Sequence, residues 1–230
     1  MVNNLRVVIA AAGSATRMGS KINKQYMLLR GKPVLTYALD AFEDFEMVDE
    51  IIVVANPAEL DYCEQEIVKK YGYHKVSGVI AGGRQRQDSV WAGLQYLGKD
   101  TDLVAVHDGA RPLFSYKMLR ELITAARKWG AAVPGINAKD TLKSVDRDGF
   151  IRQTLDRSSI MAIQTPQIFK YAELVSAYRL AQEEDFRATD DAGIFETYIG
   201  RVKVVAGEER NLKITTPADL KIAEALLRDN

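Results

Sequence analysis

The stretch Leu5-Arg6-Val7-Val8-Ile9-Ala10-Ala11-Ala12-Gly13-Ser14-Ala15-Thr16-Arg17-Met18-Gly19 decides the fold class. Leu5 to Ala11 is a short, apolar, partly β-branched run, which reads as a buried strand. It runs straight into a loop of small residues that carries an arginine. A buried first strand followed by such a loop is how a parallel α/β sheet begins. The remainder of the chain repeats the alternation. Pro33 starts a helix toward Phe45, Glu50 to Ala55 is a second strand and Ala58 to Tyr71 a second helix. Val76 to Ala81, a helix through Val90 to Leu97, Leu103 to His107, a helix from Ser115 to Trp129 and a short strand from Ala131 to Pro134 continue it. The pattern predicts a largely parallel sheet with helices on both faces.

After Pro134 the order breaks. Thr141 to Val145 and Phe150 to Leu155 are extended runs around the turn Asp146-Arg147-Asp148-Gly149, a hairpin pattern. Helices are expected from Tyr171 to Glu184 and from Asp190 to Tyr198, with a late strand from Arg201 to Val205. The last helix opens with Thr216 as N-cap, Pro217 in first position and Asp219 in the first turn. One domain over residues 1–230 accounts for all of this, with the hairpin arm at about residues 137–157.

The 31 basic and 31 acidic side chains cancel, so no global positive field recruits nucleic acid or an anionic membrane. Any bound anion must be held by a local cluster. The single cysteine, Cys63, closes no intramolecular disulfide and builds no Cys-rich zinc site; it reads as structural. No apolar run approaches the about 18 residues of a membrane span. The run Val7 to Ala12 after Arg6 is too short for a signal peptide's core. A cytoplasmic protein is expected.

Ligands of open α/β sheets bind outside the carboxyl ends of the strands, so strand-to-loop junctions carry the chemistry. The loop after the first strand lacks the later glycines of G-x-G-x-x-G and the Gly-Lys-Ser/Thr of a P-loop. Its small residues allow close backbone approach, and Arg17 with nearby Lys24 suits a triphosphate, against the alternative of a tight turn with solvated charges. Gly82-Gly83 permits close approach to a flat group. Ser89 could bond a base edge, while Asp88 reads as a helix cap. His107-Asp108-Gly109-Ala110-Arg111-Pro112 ends the fourth strand. There an exposed Asp108 is a natural Mg²⁺ ligand and Arg111 could aim at a phosphate; the competing reading is a surface Asp–Arg pair. His107 reads as a packed strand-end side chain. Asp140-Thr141-Leu142-Lys143, Asp156-Arg157, Gln164-Thr165-Pro166-Gln167, Thr189-Asp190-Asp191 and Lys213 are individually weak, a cap or a solvated strand lysine being the ordinary explanation.

Taken in order, these blocks resemble the 2-C-methyl-D-erythritol 4-phosphate cytidylyltransferases of the non-mevalonate isoprenoid pathway, over essentially the whole chain. His107-Asp108-Gly109-Ala110-Arg111-Pro112 and Thr165-Pro166-Gln167 are the most specific blocks. The resemblance implies a Rossmann-like nucleotidyltransferase fold with a protruding β-hairpin arm. It also implies a homodimer whose arm reaches the partner's site. Ala11, Ala12, Gly13 and Gly82 would surround CTP, and Gly83 and Ser89 would read the cytosine. Arg17, Lys24 and Lys213 would be the catalytic cations, with Asp108 holding Mg²⁺ or another divalent cation. Arg111, Thr141, Arg157, Thr165 and Thr189 would bind the methylerythritol phosphate. The family usually has a second glycine where this chain has Ala15, and proline where it has Asn23. Two alternatives stand beside this one: a cytidylyltransferase acting on ribitol 5-phosphate, and a non-catalytic nucleotide-binding module.

Overall fold

The computed structural model describes residues 4–13 and 23–228. Strand β1 (Leu5–Ala11) leads past a short 3₁₀ turn (Lys24–Tyr26) and the two-residue strands β2 (Leu28–Leu29) and β3 (Lys32–Pro33) to helix α1 (Val34–Glu43). Strand β4 (Val48–Ala55) is followed by α2 (Leu60–Tyr62), which continues as a π-helix over Cys63–Lys69. Then come β5 (Val76–Ala81), α3 (Arg86–Tyr96), β6 (Leu103–Asp108), α4 (Tyr116–Trp129) and β7 (Ala131–Asn137). The second part comprises β8 (Lys143–Val145), β9 (Ile151–Thr154), β10 (Met161–Ile163), β11 (Gln167–Lys170), α5 (Tyr171–Glu183), α6 (Asp191–Tyr198), β12 (Lys203–Ala206) and α7 (Pro217–Leu226).

Strands β5, β4, β1 and β6 lie side by side and parallel, with β1 between β4 and β6. The chain leaves β1 outward through β4 to β5, then returns to the other side of β1 with β6. That reversal is a topological switch point. Strand β12 runs parallel to β7 along one edge. On the other edge β7 meets β11 and then β10, both antiparallel, and β11 also pairs with β6. The two antiparallel segments between parallel strands were not anticipated. Each has three or four residues, too few to show a periodicity.

Alternation along the strands sets the two faces of the core. Val7, Ile9 and Ala11 of β1, with Ile51, Val53 and Ala55 of β4, pack against α1, α4 and the π-helical segment. Val8, Ile52 and Val54 point the other way, onto α3, α5 and α6. Such two-sided burial is why the strands read as continuous apolar runs. Helix α4 starts where Ser115 caps Met118 N–H and ends at Gly130, whose φ is +88°. A reciprocal capping box between Thr216 and Asp219 starts α7.

Strands β8 and β9 form a two-stranded sheet of their own. Asp146 Oδ1 accepts from the N–H groups of Asp148 and Phe150, and Gly149 takes a φ of +87°, which closes the turn. No helix among the described residues is long and apolar enough to cross a membrane.

Candidate functional site

The parallel register brings four strand ends level. Ala10 lies opposite Asp108, Ala11 opposite Ala55, and Ala55 opposite Ala81. The loops leaving β1, β4, β5 and β6 therefore emerge together, around a cavity of about 520 Å³. Ala11, Ala12, Gly13, Lys24, Gly83, Ser89, Asp108 and Lys213, all singled out in the sequence, line it. Arg17 belongs to residues 14–22, outside the described residues.

Gly82 stands behind this wall. A Cβ there would lie 2.4 Å from the Cβ of Ala12 and 2.8 Å from Ser89 Oγ, so only glycine lets the first and third loops pack together. Ser89 is buried; its hydroxyl accepts from Gly83 N–H at 3.2 Å and donates to the Gln85 carbonyl at 3.1 Å. Its oxygen keeps one lone pair for a base edge. Asp88 closes a capping box with Gln85, so α3 starts at Arg86, earlier than the sequence suggested. Lys24 is positioned by its neighbours. The Gln25 side chain donates to the Ala11 carbonyl at 2.6 Å. Asn23 has a φ of −63°, the value proline would impose, and its amide donates to Glu59.

Asp108 is not exposed, as its strand-end position suggested; only 7 % of it reaches solvent. Its carboxylate gathers three cations. Arg86 Nε donates to Oδ1 at 3.0 Å, Lys213 Nζ to Oδ2 at 2.8 Å, and Arg111 Nε lies 3.7 Å from Oδ2. Burial alone would raise this carboxyl's pKa, but Arg86 and Lys213 more than reverse that and hold it well below the carboxylate range. Lys213 reaches it from a loop and not from a strand; Ile214 N–H bonds the Ala110 carbonyl and brings that loop in.

A second cavity of about 430 Å³ lies across this cluster. Arg86, Asp108 and Lys213 line both cavities, and Arg111, Thr165 and Thr189 line the second. Thr165 also works as scaffold. His107 is fully buried, and burial lowers its pKa to about 4, so the ring is neutral. Because the Arg111 carbonyl can only accept, His107 Nε2 carries the proton and donates to it at 2.9 Å. Nδ1 then accepts from the Thr165 hydroxyl at 3.1 Å, while the Thr165 oxygen accepts from Asp108 N–H at 3.1 Å. The packed reading of His107 holds. Thr141 and Arg157 line neither cavity; both are exposed, and Arg157 donates to the Lys139 carbonyl.

Two functional candidates escaped the sequence reading. Arg86 gave no signal that set it apart from Arg84 two residues earlier. The Thr189-Asp190-Asp191 run divides its labour: Asp190 caps α6 by accepting from Gly193 N–H at 2.9 Å, while Asp191 is fully buried and pairs with Arg86 Nη2 at 2.8 Å. Among the described residues no group of three or more His, Cys, Asp or Glu side chains could hold a metal ion. A metal here would have to rely on a single carboxylate such as Asp108. That fits Mg²⁺, which takes one or two carboxylates and fills its shell with phosphate oxygens and water.

Comparison with known proteins agrees with this geometry. The family model described as 2-C-methyl-D-erythritol 4-phosphate cytidylyltransferase (IspD) matches residues 5–229. The enzyme of that name from Caldanaerobacter subterraneus subsp. tengcongensis is 45% identical over 225 residues, covering 98% of this chain and 99% of its own. That of Clostridium acetobutylicum is 45% identical over 223 residues, covering 97% of each. The crystal structure of 4-diphosphocytidyl-2C-methyl-D-erythritol synthase from Anaerococcus prevotii superposes with a TM-score of 0.86 at 34% identity, covering 99% of this chain and 97% of that one. With matches of that length and identity, and the strand-end blocks gathered around one cavity, this chain belongs to the 2-C-methyl-D-erythritol 4-phosphate cytidylyltransferase family.

Proposed function

We infer that the protein transfers the cytidylyl group of CTP to 2-C-methyl-D-erythritol 4-phosphate, giving 4-diphosphocytidyl-2-C-methyl-D-erythritol and pyrophosphate. The observation that carries the chemistry is the shared wall: two cavities meet at Arg86, Asp108 and Lys213, as a reaction between two phosphorylated substrates requires. A phosphate oxygen of the polyol phosphate attacks the α-phosphorus of CTP in line. One P–O bond forms there while the bond to the bridging oxygen breaks, and its electron pair leaves with pyrophosphate. Two anions must approach, so the protein's task is positioning and charge neutralisation, with no covalent enzyme intermediate.

Lys24 in the first cavity and Arg17 in the loop before it would hold the triphosphate. Lys213 would stabilise charge at the boundary. Arg111 lines the second cavity, and its Nε, 3.7 Å from Asp108 Oδ2, has no hydrogen-bond partner among the described residues and would turn to the incoming phosphate. Thr189 lines the same cavity. Ser89, whose oxygen keeps a lone pair after accepting from Gly83 N–H, and the Gly83 backbone would face the cytosine. Asp108 would hold Mg²⁺, which supplies further neutralisation of the triphosphate when bound.

We also propose a homodimer. The hairpin pairs with no other strand among the described residues and leaves Phe150 72% exposed, with Val145 and Ile151 also exposed. An isolated hairpin with such side chains needs a partner surface. It carries Thr141 at its base, and Arg157 follows it, so a partner's cavity could receive both. Its single buried thiol, Cys63, suits a reducing compartment, and we place the enzyme in the cytoplasm.

The deciding assay measures pyrophosphate release with CTP and each polyol phosphate. Release with methylerythritol phosphate supports the reading. Release with ribitol 5-phosphate alone would move the protein to that activity, and CTP binding without turnover would make it a nucleotide-binding module.

A further inference from the structure

We propose that Arg86 is a positioning residue for the transfer step: anchored from behind by the buried Asp191–Tyr178 pair, it fixes Asp108 at the wall between the two cavities. The proposal rests on the cytidylyl-transfer reading above. The guanidinium spans two carboxylates, Nε donating to Asp108 Oδ1 at 3.0 Å and Nη2 to Asp191 Oδ2 at 2.8 Å. Asp191 is fully buried, and its other oxygen accepts from Tyr178 Oη at 2.6 Å. Tyr178 is itself fully buried, with its ring 5.8 Å from that of Trp91 and within 7° of parallel. Arg86 stands at the start of α3, yet α5 and α6 supply its anchor.

The other cations have a weaker hold on Asp108, although Arg111 is itself fixed, its Nη1 donating to the Asn211 carbonyl at 2.8 Å. Lys213 comes from a loop and its side chain is 36% exposed; Arg111 Nε stands off at 3.7 Å. A phosphate entering either cavity competes with Asp108 for Lys213, and one in the second cavity also meets Arg111. A flexible lysine can change partner at small cost. Arg86 cannot, because leaving would strand the buried Asp191 charge. Arg86 therefore keeps Asp108 in one orientation while Lys213 turns to substrate. A fork-shaped guanidinium can hold two carboxylates in fixed geometry, which an ammonium cannot.

The test uses the full-length enzyme and two variants. Arg86→Gln alone strands Asp191, so the informative change is the neutral double variant Arg86→Gln/Asp191→Asn. Tyr178→Phe keeps both charges and removes only the anchor's hydrogen bond. CTP affinity is read by calorimetry, folding by thermal melting, and turnover with both substrates varied. The expected result for the double variant is a kcat about 10²-fold lower, with CTP Kd and both KM values within about threefold of wild type. Tyr178→Phe should lower kcat about fivefold in the same direction, since it loosens Arg86 without removing it. Wild-type kcat in the folded double variant would overturn the proposal. So would CTP affinity falling as far as turnover, or a collapse of the melting transition, since either would make the network structural support. If the wild-type enzyme itself released no pyrophosphate, the transfer reading would fail instead; that outcome is distinguishable because it precedes any variant.

Discussion

At the residue scale, the site is a problem of where positive charge is placed. Lys24 and Lys213 line the cavity in which the triphosphate is proposed to sit, and Arg17, outside the described residues, precedes Lys24 in the sequence. Lys24→Ala and Arg17→Ala are each expected to lower kcat by about 10²–10³-fold, with a much smaller change in CTP affinity. Wild-type turnover in both would reduce them to solvated loop cations. Asp108 behaves differently from the exposed ligand its sequence position suggested. Asp108→Asn removes the one anion shared by Arg86, Lys213 and Arg111, so it should destabilise the fold by about 3 kcal/mol as well as abolish turnover. Differential scanning calorimetry would show this as a melting point several degrees lower, at about 2–4 °C per kcal/mol for a chain of this size. Cys63 is fully buried, and burial pushes its thiol from 9.0 up to about 11. The unfolded chain therefore releases this proton at lower pH than the folded one does. Stability from this group is intact below about pH 9 and is lost as pH rises toward about 11, by about 2–3 kcal/mol. Cys63→Ala should flatten that part of a pH–stability curve, and alkylation of Cys63 at pH 8 should wait for unfolding. Rapid alkylation of the native enzyme would contradict the buried-thiol account.

Elements carry the next set of constraints. The loops after β1 and β5 touch through Gly82, where a methyl group would press on Ala12 and Ser89. Gly82→Ala should cost about 1–3 kcal/mol as overpacking and should raise the KM for CTP, because the loops it joins line the cavity proposed for the nucleotide. Steady-state kinetics with an unchanged CTP KM would show that the loop contact is irrelevant to binding. The hairpin of β8 and β9 is the element whose purpose its own chain does not supply. Its base residue Thr141 and the following Arg157 lie outside both cavities, and its tip exposes Phe150. If it completes a partner's site, chains carrying Lys24→Ala and chains carrying Thr141→Ala should complement each other. A mixed dimer then has one intact site of two, which restores up to about half of wild-type activity. No recovery in verified mixed dimers, or a monomer at assay concentration, would rule out the shared site.

At the scale of the whole molecule, cavity size bears on the choice of nucleotide. A cavity of about 520 Å³ closed on one side by the Gly83 backbone and buried Ser89 should favour the smaller base. We expect kcat/KM for ATP to be at least about 10²-fold below that for CTP; equal values would refute a cytosine-shaped pocket. Much of this molecule was legible in its sequence. Val7 and Ile9 against Val8, Ile51 and Val53 against Ile52, announce strands buried on both faces, because side-chain alternation is a local property. Ser115 and Thr216 announce helix starts for the same reason, since a cap satisfies an N–H three residues away. The strand-end blocks that stood out in the sequence converge on one cavity. The sequence could not show that β10 and β11 slip antiparallel between β6 and β7, as such short pieces are set by their neighbours. Nor could it separate Asp190 from Asp191, or Arg86 from Arg84. Arg86 finds its second carboxylate 105 residues away, and Lys213 reaches Asp108 because Ile214 docks on Ala110. Periodicity and capping act within a few residues and so are written in the chain, whereas which charges end up buried, and against whom, is decided only when distant loops are packed onto the same sheet edge.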